Sequence, residues 1–198
     1  DDDFTSLVGG VRAGRGIFDT LRKAIAYIIA VHVPIIGMSL VPLFVADWPL
    51  VLLPAQIAFL ELIIDPACSI VFEAEQIDPA IMDQPPRPLG APMFGRRALL
   101  VAALQGSSVL AAVFAVFLWS VLGDRPDGTV RSITFATLVL SNLGLILVNR
   151  SWQLPAWRTL FERRNPTLRW ILGIAIAVLV LLLSVPGLRR AFDFGTIT

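Results

Sequence analysis

Five apolar stretches, each about 18–25 residues long, constrain this chain more than anything else in it. They run over about 24–45, 50–72, 98–122, 132–149 and 170–188. A helix rises about 1.5 Å per residue, so each stretch is long enough to cross about 30 Å of hydrocarbon. In that medium every backbone N–H and C=O must be satisfied within its own segment, and a helix does this. Of the 198 residues, 56% are hydrophobic and 16% charged, whereas a soluble domain carries about a quarter charged residues. The expected fold class is all-α, a polytopic transmembrane helix bundle with a short N-terminal stalk helix on the cytosolic side. Its expected partner is the lipid bilayer, with no nucleic acid.

Turn chemistry separates the spans. Asp47-Trp48-Pro49 is a tight link, so the first two spans form an antiparallel hairpin. The proline-dense connector from Pro79 to Pro92 is expected to be extended and not helical. Gly123 to Gly128 reads as a polar loop between the third and fourth spans. The fourth span is the most polar, with Ser132, Thr134, Thr137, Ser141, Asn142 and Asn149, which should face other helices. Residues 1–23 read as a leader with a helical pattern from about Leu7 that runs straight into the first span, and 24–198 as the transmembrane domain. Twelve Lys and Arg fall on the leader's side of the spans. Only Arg125, Arg131, Arg189 and Arg190 fall on the other. That bias places the N-terminus in the cytoplasm. Trp48, Trp119, Trp152, Trp157 and Trp170 all fall near expected membrane interfaces.

The chemistry concentrates in the second span, where Glu61 and Asp65 lie deep in the apolar run. A charge at that depth costs roughly 2.5–3.5 kcal/mol on insertion scales, so intramembrane acids are functional candidates by default. Four residues apart, they share one helix face about a turn apart. Two such carboxylates repel, so an empty site is expected to hold a proton. Pro66 follows at once and weakens the local backbone hydrogen bonding. His32 stands in the first span, opposite the acids across the hairpin, and is a candidate for ligation or proton transfer. Pro34 frees a carbonyl one turn earlier, a further possible oxygen ligand. Cys68 and Asn142 are weaker metal-site candidates, the first more naturally a packing residue, the second an interhelical hydrogen bonder. Gln56, Ser69 and Ser141 are weaker still. One cysteine excludes a disulfide framework. One histidine excludes multi-histidine zinc motifs. No Walker loop, Asp-Lys-Thr-Gly motif or GxSxG is present, so no catalytic or cofactor-binding residue is assigned.

Two further segments carry a resemblance. Asp2-Asp3-Phe4-Thr5-Ser6-Leu7-Val8, then Val11-Arg12-Ala13-Gly14-Arg15-Gly16-Ile17-Phe18-Asp19, is similar to the pattern that leads from the phosphorylation domain of P-type cation-transporting ATPases into their fifth transmembrane helix. Glu61 to Pro66 resembles the ligand-bearing stretch of the family's sixth helix. Asp78 to Arg87 resembles the "D.M..PPR" loop after it. The resemblance covers about the first half of the chain and is closest to calcium-pump-like members. It implies that 1–23 is the end of the phosphorylation domain and the stalk, and that the spans are helices five to nine of ten. The tenth helix would lie beyond Thr198, and the actuator, nucleotide-binding and phosphorylation domains before Asp1. ATP and Mg²⁺ would act in those domains. It also implies ligand positions. Glu61 stands for a ligand Asn, Asp65 for a ligand Asp and His32 for a helix-five Asn. Ile35 falls where a ligand Glu is expected, Ile64 replaces a ligand Thr, and Pro66 replaces a Gly. The altered set suits one Ca²⁺, a proton or a transition metal. The expected role is the intramembrane cation site of an ATP-driven pump in a bacterial plasma membrane. The competing reading is a non-catalytic scaffold or remnant, or a proton-coupled secondary transporter.

Overall fold

The computed structural model describes residues 4–45, 48–74, 77–86, 88, 94–150 and 166–197, without the side chains of 65, 67, 150 and 166. Among the described residues, five helices are long and apolar enough to cross a membrane. They are α1 (Phe4–Leu40), α2 (Pro54–Glu73), α3 (Arg96–Leu122), α4 (Asp127–Arg150) and α5 (Pro166–Ser184); a short α6 (Pro186–Ala191) follows. No strand occurs among the described residues. The all-α bundle expected from the length of the apolar stretches is therefore the fold observed. Asp47, Arg87, Trp152, Trp157, Arg158, Arg163 and Arg164 lie outside the described residues.

The leader and the first span are one unbroken helix. Pro34 lies inside it and cannot donate to the carbonyl of Ala30, four residues earlier. That carbonyl faces α3, where a Cβ built on Gly106 would stand 2.5 Å from it. The missing hydrogen bond and the missing side chain thus meet at one point. Gly37 makes the second close approach, with Leu110 of α3 lying over it. Ala26, Ala30 and Ala102 are buried along the same pair of helices. Lipid tails are as apolar as leucine, so such small residues give membrane helices their close packing.

The second helix starts later than the apolar run suggests. Residues 50–53 are not helical, with Leu53 extended, and Val51 and Leu52 are buried there. Pro54 suits a first helical position because that N–H has no intrahelical partner. Gln56 then reaches back, and its Oε1 accepts from the Leu53 N–H at 3.0 Å. Its Nε2 donates to the Phe192 carbonyl at 2.5 Å, which makes this buried amide a cap and a cross-link.

The connector after α2 corrects the expectation of an extended chain. Pro79–Met82 forms a 3-10 turn. Asp78 starts it by accepting from the Ala80 N–H at 2.9 Å, and Pro79 fits a first helical position for the same reason as Pro54. Arg15 of α1 holds this turn, donating to the carbonyls of Ile81 at 2.9 Å and Gln84 at 2.8 Å.

The central element is α4, which packs on α1, α2, α3 and α5. Its polar residues face inward as their composition requires, with Ser132, Thr134, Asn142 and Asn149 all buried. Leu62, Leu104, Ile174 and Trp170 face outward. After α6 the chain turns through Asp193, at a φ of 54°, and lies against the start of α4. There Gly195 N–H donates to the Gly128 carbonyl at 2.7 Å, and Ser132 Oγ donates to the Gly195 carbonyl at 3.0 Å. A Cβ on Gly195 would meet the Thr129 nitrogen at 2.5 Å, so the approach requires glycine.

Candidate cation site

His32 and Glu61 are the sequence candidates that the structure brings together. His32 lies on α1, two residues before Pro34. Its Nδ1 stands 2.8 Å from the carbonyl oxygen of Ile28, one turn earlier on the same helix. A carbonyl only accepts, so Nδ1 carries the hydrogen. That fixes the tautomer and turns Nε2 outward. Nε2 lies 3.8 Å from Glu61 Oε1 on α2. Both helices contribute one turn, and the hairpin sets the register between them.

The pair is not sealed within this chain. The His32 side chain is 41% exposed and that of Glu61 37%. Among residues that lie within apolar spans, that is an unusual position for an ionisable pair. Asp65 stands one turn after Glu61 on α2, but its side chain lies outside the described residues. Among the described residues, no third His, Cys, Asp or Glu joins His32 and Glu61 in a cluster.

The weaker candidates separate. Cys68 is buried in the apolar core cluster, as its packing reading suggests. Gln56 is committed to the cap described above. Ser69 is exposed and Ser141 half-buried. Asn142 is different. It is 3% exposed, and neither its Oδ1 nor its Nδ2 has a hydrogen-bond partner among the described residues. Thr134, eight residues earlier on α4, also buries a hydroxyl with no partner among the described residues. Leu138 lies between them, so the three form one stripe along the helix.

Sequence reasoning missed Arg131, which it counted among loop charges. Arg131 lies in the second turn of α4 and is buried. Nε donates to the Leu50 carbonyl at 2.9 Å, and Nη1 to Asp193 Oδ2 at 2.6 Å and to the Asp193 carbonyl at 2.7 Å. One guanidinium thus ties the first hairpin, α4 and the C-terminal turn. Its partners lie 81 and 62 residues away in sequence, so no local pattern announces it.

The fold and the pair define a class of protein: a polytopic helical membrane domain with an acid and an imidazole facing each other between its first two spans. Comparison with known proteins narrows the class. The family model for "Cation transporting ATPase, C-terminus" matches residues 49–198. A calcium-transporting ATPase of Bacillus subtilis (strain 168) is 28% identical over all of this chain, which covers 22% of that relative. Human calcium-transporting ATPase type 2C member 2 is 25% identical over 98% of the chain and 20% of its own length. The sodium/potassium-transporting ATPase subunit alpha of Drosophila melanogaster is 37% identical over 57% of the chain and 11% of its own length. This chain belongs to the C-terminal membrane region of the P-type cation-transporting ATPases. It spans about a fifth of the length of the first two relatives.

Proposed function

We propose that this chain is the membrane part of an ATP-driven cation pump, and that His32, Glu61 and Asp65 form its intramembrane cation site. The observation that carries this reading is the contact of His32 Nε2 with Glu61 Oε1 across the α1–α2 hairpin. An acid costs several kcal/mol at that depth unless something neutralises it, and a cation between the two side chains does so. Asp65 adds a second carboxylate one turn along the same helix. Pro66 releases the Leu62 carbonyl from its helical bond, a further oxygen near the acids. Asn142 offers an amide oxygen from α4, and its unpartnered state supports that role. Cys68 drops to a packing role.

ATP hydrolysis, with Mg²⁺, would take place in actuator, nucleotide-binding and phosphorylation domains outside this chain, and a tenth helix would complete the membrane part. The unbroken α1 supports a mechanical link between them. Arg15 and His32 lie on one rigid rod, about 25 Å apart at 1.5 Å per residue. Movement at the Arg15 end therefore moves His32 against Glu61 and changes access to the cation. The Lys and Arg bias supports a cytoplasmic N-terminus, and the bacterial relatives support a plasma-membrane location.

The test uses the full-length product that carries this chain. Glu61→Gln and Asp65→Asn should abolish cation-stimulated ATP hydrolysis and cation-dependent phosphoenzyme formation. Unchanged stimulation in both variants would remove the site assignment.

A further inference from the structure

The bonding of His32 says which kind of cation the site takes. Because Nδ1–H is committed to the Ile28 carbonyl, a neutral ring presents a bare lone pair at Nε2. Facing it, 3.8 Å away, is a carboxylate oxygen. With the ring neutral and the acid ionised, both atoms are electron donors, and a cation between them relieves their repulsion. Two metal–ligand bonds of about 2.1 Å can reach across no more than about 4.2 Å, and 3.8 Å falls inside that limit. The Ile28 carbonyl also has the position of an outer-shell partner. A metal-bound histidine typically donates its other N–H to a carbonyl or carboxylate, which fixes the ring and raises the basicity of the ligating nitrogen.

We propose that the α1–α2 site takes a divalent ion of the first transition series or Zn²⁺ in preference to Ca²⁺, and that His32 Nε2 is the ligand that selects it. This rests on the cation-site reading above. Ca²⁺ is a hard ion that takes six to eight oxygens at about 2.3–2.6 Å. Imidazole nitrogen suits Fe²⁺, Co²⁺, Ni²⁺, Cu²⁺ and Zn²⁺ instead, with affinity rising from Fe²⁺ to Cu²⁺ and falling again at Zn²⁺. At the position next to Glu61 the chain supplies nitrogen where an oxygen-only site would need a carboxamide or carboxylate.

The experiment titrates the purified full-length product, in detergent micelles, with Co²⁺, Zn²⁺ and Ca²⁺. Binding is followed by calorimetry and, for Co²⁺, by its visible absorption. Co²⁺ and Zn²⁺ should bind at least about tenfold more tightly than Ca²⁺, with a Co²⁺ spectrum that shows nitrogen ligation. His32→Asn should weaken Co²⁺ and Zn²⁺ by about 10–100-fold and leave Ca²⁺ within about threefold. His32→Ala with added imidazole should regain the Co²⁺ spectrum, which separates lost ligation from lost folding. Preferential Ca²⁺ binding, or a His32→Asn variant with unchanged Co²⁺ and Zn²⁺ affinity, would overturn the selectivity proposal while Glu61→Gln still abolished binding. Binding of no divalent ion, or affinities indifferent to Glu61→Gln, would overturn the site reading as well.

Discussion

Arg131 and Asn142 show how differently two buried polar residues on one helix can be treated. The three hydrogen bonds of Arg131 run to two separate segments. Its ion-pair partner Asp193 has a side chain 72% exposed, so the charge attraction is screened and most of the stabilisation comes from the carbonyl bonds. Arg131→Met should therefore lower stability by about 1.5–3 kcal/mol, the range for hydrogen bonds to charged groups. Asp193→Asn should cost less than about 1 kcal/mol. Thermal unfolding in detergent checks both, and equal losses would contradict the partition. Asn142 has the opposite character. Among the described residues its amide is desolvated without a partner, a condition that costs about 1–3 kcal/mol. Asn142→Val should raise the melting temperature and weaken cation-stimulated ATP hydrolysis together. A fall in both would make Asn142 a structural hydrogen bonder. Of these two residues the sequence announced only one. Asn142 stands out as an amide in an apolar run, whereas the role of Arg131 depends on contacts made from opposite ends of the chain.

Among elements, α1 governs the rest. Its seam with α3 depends on Gly106, where a side chain would run into the Ala30 backbone at 2.5 Å. Backbone cannot rotate aside as a side chain does. Gly106→Leu should thus part the helices and lower stability by about 1–3 kcal/mol or more, the usual range for overpacking; thermal unfolding again measures it. At the far end of α1, Arg15 holds the 77–86 connector through two carbonyls. Arg15→Ala should leave the spans folded and speed amide exchange around Ile81 and Gln84, with protection in α4 unchanged. The lengths of these helices were readable because bilayer thickness dictates them. The seam was not, because Pro34 and Gly106 belong to separate spans and nothing local links a freed carbonyl to a distant glycine. The 3-10 turn at Pro79–Met82 was hidden for another reason. Proline density argues for extension on average, but a single capping aspartate reverses it locally. Within the candidate site, the hairpin made the meeting of His32 and Glu61 readable. The tautomer was not, since it is set by the Ile28 carbonyl.

At the scale of the whole molecule, orientation decides which way the proposed pump would move its cation. The connector 77–86, held by Arg15, lies at the opposite end of the bundle from α6, because α2 separates the Gln56 bond to Phe192 from that connector. If the positive bias sets the topology, Gln84 is cytoplasmic and Gly187 external. Both positions accept a cysteine. Gln84 is exposed, and a Cβ at Gly187 has nothing within 4 Å. The native Cys68 is buried in the core and should stay silent. In intact cells a membrane-impermeant maleimide should therefore label Gly187→Cys and spare Gln84→Cys, and disruption of the membrane should expose the second. The reverse pattern would invert the bundle, place the Arg15 stalk outside the cell, and separate it from any cytoplasmic ATP. The single result therefore tests the pump reading at its mechanical link as well as its topology, since a stalk can transmit hydrolysis to His32 only from the side where ATP is available.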